Sequence, residues 1–87
     1  MEKQVVTLEN REKLTITKVI DIDAFDEGAL WANIQEGSIE VIGQNLNIEK
    51  LDLEDGILII SGKIDSFSYI EKKYKERNKF LKIFKRD

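Results

Sequence analysis

Carboxylates and lysines make up nearly all the reactive chemistry in this chain. Its 87 residues include 17 Asp and Glu and 14 Lys and Arg, with no histidine and no cysteine. The commonest general base, the thiol nucleophile and the soft metal ligands are therefore missing. Ser38, Ser61, Ser66 and Ser68 stand in no nucleophile-elbow context and have no histidine to activate them. Carboxylate pairs abound, yet a catalytic pair needs surroundings that drive its two pKa values apart, and acids on outward strand positions are solvated. The densest acidic stretch, Asp21-Ile22-Asp23-Ala24-Phe25-Asp26-Glu27, fails as an EF-hand loop. That loop wants an oxygen ligand where Phe25 stands, a glycine at Asp26 and a Glu at Ala32. Gly56 and Gly62 bracket a strand with no helix or Lys-Ser/Thr pair behind it, so no phosphate loop forms. The residues predict a chain that is no enzyme and that binds no metal or cofactor.

The elements that hold these groups read as β. Gly37-Ser38-Ile39-Glu40-Val41-Ile42-Gly43 and Gly56-Ile57-Leu58-Ile59-Ile60-Ser61-Gly62 share the pattern Gly-x-apolar-x-apolar-x-Gly. Alternation with period two marks a strand with one face in a core, and the flanking glycines mark turns or kinks. Two copies are too few for a solenoid. Gln4–Leu8 reads as an edge strand followed by a polar turn at Glu9-Asn10-Arg11-Glu12. Leu14, Ile16, Val19, Ile20 and Ile22 read as one long strand with a bulge at Thr17-Lys18. Ala24–Gly28 is expected to turn, with Phe25 plugging the core. Leu30, Ala32 and Ile34 point inward and put Trp31 on the opposite face. Gly43-Gln44-Asn45 is expected to turn the chain into Leu46 and Ile48, with a second bulge at Glu49-Lys50 before Leu51 and Leu53. Asp55-Gly56 is the strongest hairpin signal, leading into a central strand from Ile57 that Ile64 and Phe67 continue. The expectation is an all-β body over residues 1–69. It is a small antiparallel sandwich or partly open barrel of about seven short strands.

Residues 70–87 differ in kind. Residues 1–70 carry a net charge of −8 and residues 71–87 a net charge of +5, within a total of −3. On a helical wheel Ile70, Tyr74, Arg77, Leu81 and Phe84 share a stripe, with Phe80 beside it, opposite Lys72, Lys75, Lys79, Lys82 and Arg86. A basic amphipathic helix or tail of this kind either docks on the acidic body, meets an anionic membrane surface or contacts a protein. Its contact residues are Lys72, Lys75, Lys79, Phe80, Leu81, Lys82, Phe84 and Arg86. Nucleic acid is disfavoured, since the patch is short, the body acidic and no recognition motif occurs. Trp31 either packs under the tail or a loop, or anchors a partner. With the loop 21–27 it would also serve a small-ligand or carbohydrate-binding module. Tyr69 and Tyr74 are expected to pack at the hinge between body and tail. The start lacks a basic-then-apolar signal region, and Ile57-Leu58-Ile59-Ile60 is far short of a membrane span. A soluble cytoplasmic protein is expected.

In order and spacing, these segments resemble the YabP/YqfC family of sporulation proteins, its YabP branch most of all. The resemblance runs through Arg11-Glu12-Lys13-Leu14-Thr15-Ile16-Thr17, Val19 and Phe25-Asp26. It continues through Gly37-x-Ile39-x-Val41-x-Gly43-Gln44-Asn45-Leu46-x-Ile48 with Leu51-Asp52, then Gly56-x-Leu58-x-Ile60-x-Gly62-x-Ile64 and Tyr69. Two positions depart from it. Lys18 stands where the family usually has glycine, implying a milder bend, and Ile34 stands where it tends to have threonine. The resemblance implies a non-enzymatic protein of the mother cell of a sporulating bacterium, acting in cortex or coat formation. Its implied partners are other spore-envelope proteins or an anionic membrane, the forespore's outer surface. The uncovered edge near Gln4–Leu8 suits self-pairing into a homo-oligomer.

Overall fold

The computed structural model describes residues 3–71. They form six strands: β1 (Val6–Glu9), β2 (Lys13–Ile16), β3 (Asp21–Phe25), β4 (Ala29–Ile34), β5 (Gly37–Asp52) and β6 (Ile57–Glu71). All lie in one open antiparallel sheet of order β1-β2-β6-β5-β4-β3: the all-β antiparallel body expected, as a single open sheet rather than the two sheets of a sandwich or a closed barrel, and with six strands rather than about seven.

A flat sheet without a second layer leaves both faces wet, yet Leu14, Ile16, Leu30, Ile39, Val41, Leu58 and Ile60 are completely buried in one cluster. The sheet must therefore fold over on itself, and the register shows where. Gly37–Ile42 of β5 pairs with β4 on one side and with Ser66–Glu71 of β6 on the other. The later part of β5, Asn47–Asp52, pairs with Ile57–Ser61, which in turn meets β2. One long hairpin thus belongs to two half-sheets, and the crease between them falls at register shifts around Ile42/Gly43 and Gln44/Asn47.

The crease requires glycine. Gly62 has φ of 124°, and a Cβ there would lie 2.5 Å from the Asn45 carbonyl oxygen. A Cβ on Gly43 would collide with the Lys63 carbonyl. The β3–β4 turn clamps the fold, as Gly43 N–H donates to Gly28 O and Leu46 N–H to Glu27 O, both at 2.9 Å.

The Thr17-Lys18 bulge is a corner between two strands, a correction with a topological cause. β2 and β3 are four strand spacings apart in the order, about 19 Å in a flat sheet. The linking residues 17–20 are kinked, with Lys18 at φ 61°, and reach across only because the halves face each other. Val19 N–H donates to Gly56 O on one side and Ile20 N–H to Asn33 O on the other. Lys18 adopts the left-handed backbone that glycine favours.

Other expectations shift for the same reason. Gly43-Gln44-Asn45 does not turn the chain; it lies inside β5, with Asn45 at φ 54°. Phe25 sits on edge strand β3 and is exposed rather than plugging the core, and Ile20, Leu51 and Leu53 are exposed as well. The bulge at Glu49 is present, and Asp52 Oδ1 accepts from Glu54 and Asp55 N–H to shape the hairpin turn. The inward residues Leu30, Ala32, Ile34, Ile39, Val41 and Ile64 are buried as their alternation requires. β6 continues through Ile70 and Glu71, the first residues of the segment read as a helix. The rest of that segment lies outside the described residues.

Gly62→Ala is expected to lower unfolding free energy on the order of 3 kcal/mol, from strained backbone and the Asn45 clash, in urea denaturation. Lys18→Gly is expected to raise it by up to about 1 kcal/mol, relieved left-handed strain outweighing the added unfolded-state entropy.

Candidate functional site

The acidic stretch is divided between a strand and a turn, and its acids shape the backbone. Asp21 stands opposite Asn33 in the β3–β4 register and accepts its side-chain amide at 2.7 Å. Asp26 Oδ1 accepts Gly28 N–H at 2.8 Å and Ala29 N–H at 3.0 Å, fixing the turn into β4. Among the described residues no three Asp or Glu converge closely enough to hold a metal ion.

Trp31 is half-buried on the outer face of β4, as its phase predicts. Its indole N–H donates to Glu40 Oε2 at 3.1 Å, across the register pair that joins β4 to β5. That bond occupies the donor a polar ligand would use. Around Trp31 the outer face carries the small side chains of Ala24, Ser38 and Ser68.

A shallow groove at the crease went unread in the sequence. It is lined by Asn10, Arg11, Glu12, Ser61, Gly62 and Lys63. Asn10 and Arg11 both have left-handed φ, near 52° and 58°, which turns β1 back onto β2. Arg11 Nε donates to the Ile64 carbonyl and its Nη2 lies 3.2 Å from Asp65 Oδ1. Gln44 Nε2 donates to Asp65 Oδ2, and Ser61 Oγ to Glu49 Oε2 at 2.7 Å. These charges satisfy one another and the backbone. The only local signal was Asn10, a residue that tolerates positive φ.

No polar or charged side chain is buried among the described residues. What the surface does present is apolar. Val5, Leu8, Tyr69 and Ile70 are exposed on β1, its N-terminal lead-in and the end of β6, while Ile20, Phe25, Leu51 and Leu53 are exposed around β3 and the later part of β5. These are the two open sides of the folded sheet. Across the first side, Tyr69 O–H donates to Gln4 Oε1 at 2.6 Å, and Gln4 Nε2 donates to Thr17 O. Tyr69 therefore ties β6 to the N-terminal lead-in of β1. The other hinge residue, Tyr74, lies outside the described residues, as do Lys72, Lys75, Lys79, Phe80, Leu81, Lys82, Phe84 and Arg86.

The family model described as the YabP family matches residues 1–76. The chain belongs to the YabP family. It is 33% identical over 86 residues to Spore protein YabP of Bacillus subtilis (strain 168), covering 97% of this chain and 86% of that protein. The family match takes in the entire described sheet, so the crease at Gly43 and Gly62 and the corner at Lys18 fall within the YabP-family region.

Tyr69→Phe removes the tie to Gln4 and is expected to cost about 1 kcal/mol in denaturation. Glu40→Ala is expected to cost a similar amount, about 1 kcal/mol, and to shift the emission of Trp31, the chain's single tryptophan.

Proposed function

We propose that this chain acts in sporulation as a non-enzymatic structural or recruitment factor in spore-envelope morphogenesis, in cortex or coat formation. The observation that carries the reading is its similarity, over nearly its whole length, to a protein named Spore protein YabP. The surface supports a role in binding over one in catalysis, since its polar groups are solvated and its open sides are apolar. The charge split supports attachment. An acidic body ending in a segment of net charge +5 is suited to lie against an anionic membrane, here the outer surface of the forespore. Each base near such a surface contributes about 1 kcal/mol, and Phe80, Leu81 and Phe84 would add insertion of apolar area.

Two experiments test the two levels of this reading. Deleting the gene in a spore-forming host is expected to leave vegetative growth intact and to yield spores with a defective cortex or coat under electron microscopy. Normal envelopes would overturn the sporulation role. In the full chain, replacing Lys72, Lys75, Lys79, Lys82 and Arg86 by Gln is expected to weaken binding to phosphatidylglycerol vesicles at least tenfold. Added salt is expected to weaken the unsubstituted protein similarly. Equal binding by both proteins would overturn membrane attachment while leaving the sporulation role standing.

A further inference from the structure

Among the described residues, four strand segments have one side without a backbone partner: β1, β3, the later part of β5 and the last part of β6. Bulges and charges on an edge oppose pairing with another strand. β3 is bulged at Asp23 and carries Asp21 beside it. The later part of β5 is bulged at Glu49, next to Lys50. The last part of β6 follows a bulge at Asp65 and is crossed by the Arg11–Asp65 and Tyr69–Gln4 contacts. β1 is the least protected of the four: it has no bulge, and its one charge, Glu9, stands at its end beside the turn. Val6-Thr7-Leu8-Glu9 pairs with β2 in unbroken register, with no proline, lysine or bulge.

The register also says which backbone groups are available. Thr17 N–H donates to Val5 O and Val5 N–H to Thr17 Oγ1, so the polar groups of Val5 face β2 at the start of the ladder. Bonding alternates along an antiparallel ladder, so Thr7 and Glu9 face β2 while Val6 and Leu8 turn their N–H and C=O groups outward.

We propose that β1 is a self-association strand, through which two copies of this chain pair antiparallel about a two-fold axis at Thr7. In that register Val6 and the second copy's Leu8 exchange two N–H···O=C bonds, and symmetry doubles them. The occupant follows from self-complementarity. Val6 and Leu8 lie on the core-facing side of β1, opposite Ile16 and Leu14 of β2, so pairing Val6 with Leu8 continues the apolar layer into the second copy. On the other side Thr7 meets Thr7, and Glu9 lies diagonal to the second copy's Lys3, within reach of a long side chain. An isologous contact of this kind closes at two copies. The inference is independent of the sporulation role, because it rests on the edge alone.

Light scattering on the full chain, with Leu8→Pro, Leu8→Lys and Thr7→Cys variants, tests it. The unsubstituted protein is expected at twice the 10.1 kDa chain mass. Leu8→Pro removes an outward donor without touching the β1–β2 ladder and is expected at the single-chain mass with its far-UV β signature kept. If that variant unfolds, Leu8→Lys carries the same expectation. Thr7→Cys places the chain's sole thiols across the axis in a non-hydrogen-bonded pair, about 4.5 Å between Cα atoms, and is expected to cross-link under mild oxidation. A single-chain mass for the unsubstituted protein up to millimolar concentration would overturn the proposal. So would a dimer that persists in Leu8→Lys while Thr7→Cys stays uncross-linked.

Discussion

Everything in this fold depends on one sheet burying its own inner face. No helix or second sheet among the described residues covers that face, so the long β5–β6 hairpin must bend in its middle and bring one half over the other. The bend forces backbones into contact at distances that admit no Cβ, which is why glycine occupies Gly43 and Gly62. Asn45, the β3–β4 turn and the kinked link through Lys18 all follow from that approach.

Folding a single sheet this way has a cost in closure. A barrel has no edges; a creased sheet keeps two open sides, and residues whose phase points inward near those sides are only partly covered. Leu8, Phe25, Leu51 and Tyr69 all pair with buried partners across the ladder and are themselves exposed. None of the polar side chains in the described residues is buried.

Local alternation made the centre of the fold legible. Leu30, Ala32, Ile34, Ile39, Val41, Leu58, Ile60 and Ile64 sit in strands flanked on both sides, where period two and burial coincide. It misled at the rims, where Phe25, Leu51 and Leu53 have the right phase or composition and too few neighbours. It also misled at the crease, because glycine and asparagine signal a reversal and a bulge with the same residues. Gly43-Gln44-Asn45 reads as a turn from its own residues. Only the pairing of Leu46 N–H with Glu27 O, a contact long in sequence, shows that the strand bends and goes on. The Arg11–Asp65 and Tyr69–Gln4 contacts were illegible for the same reason, each joining residues more than fifty positions apart. The tail, where the sequence put the contact residues, lies outside the described residues.

Lys18 stands where the two half-sheets join. The family resemblance places a glycine there, and alternation alone makes the position look like a slip within one strand. In the structure it is the corner at which the chain leaves one half-sheet for the other, held by Val19 to Gly56 and by Ile20 to Asn33. A left-handed backbone is required at that corner whatever side chain is attached. Lysine tolerates it at a cost of about 1–2 kcal/mol that the two flanking hydrogen bonds and the core on either side offset. The bonds on either side pin the backbone at the crossing between half-sheets.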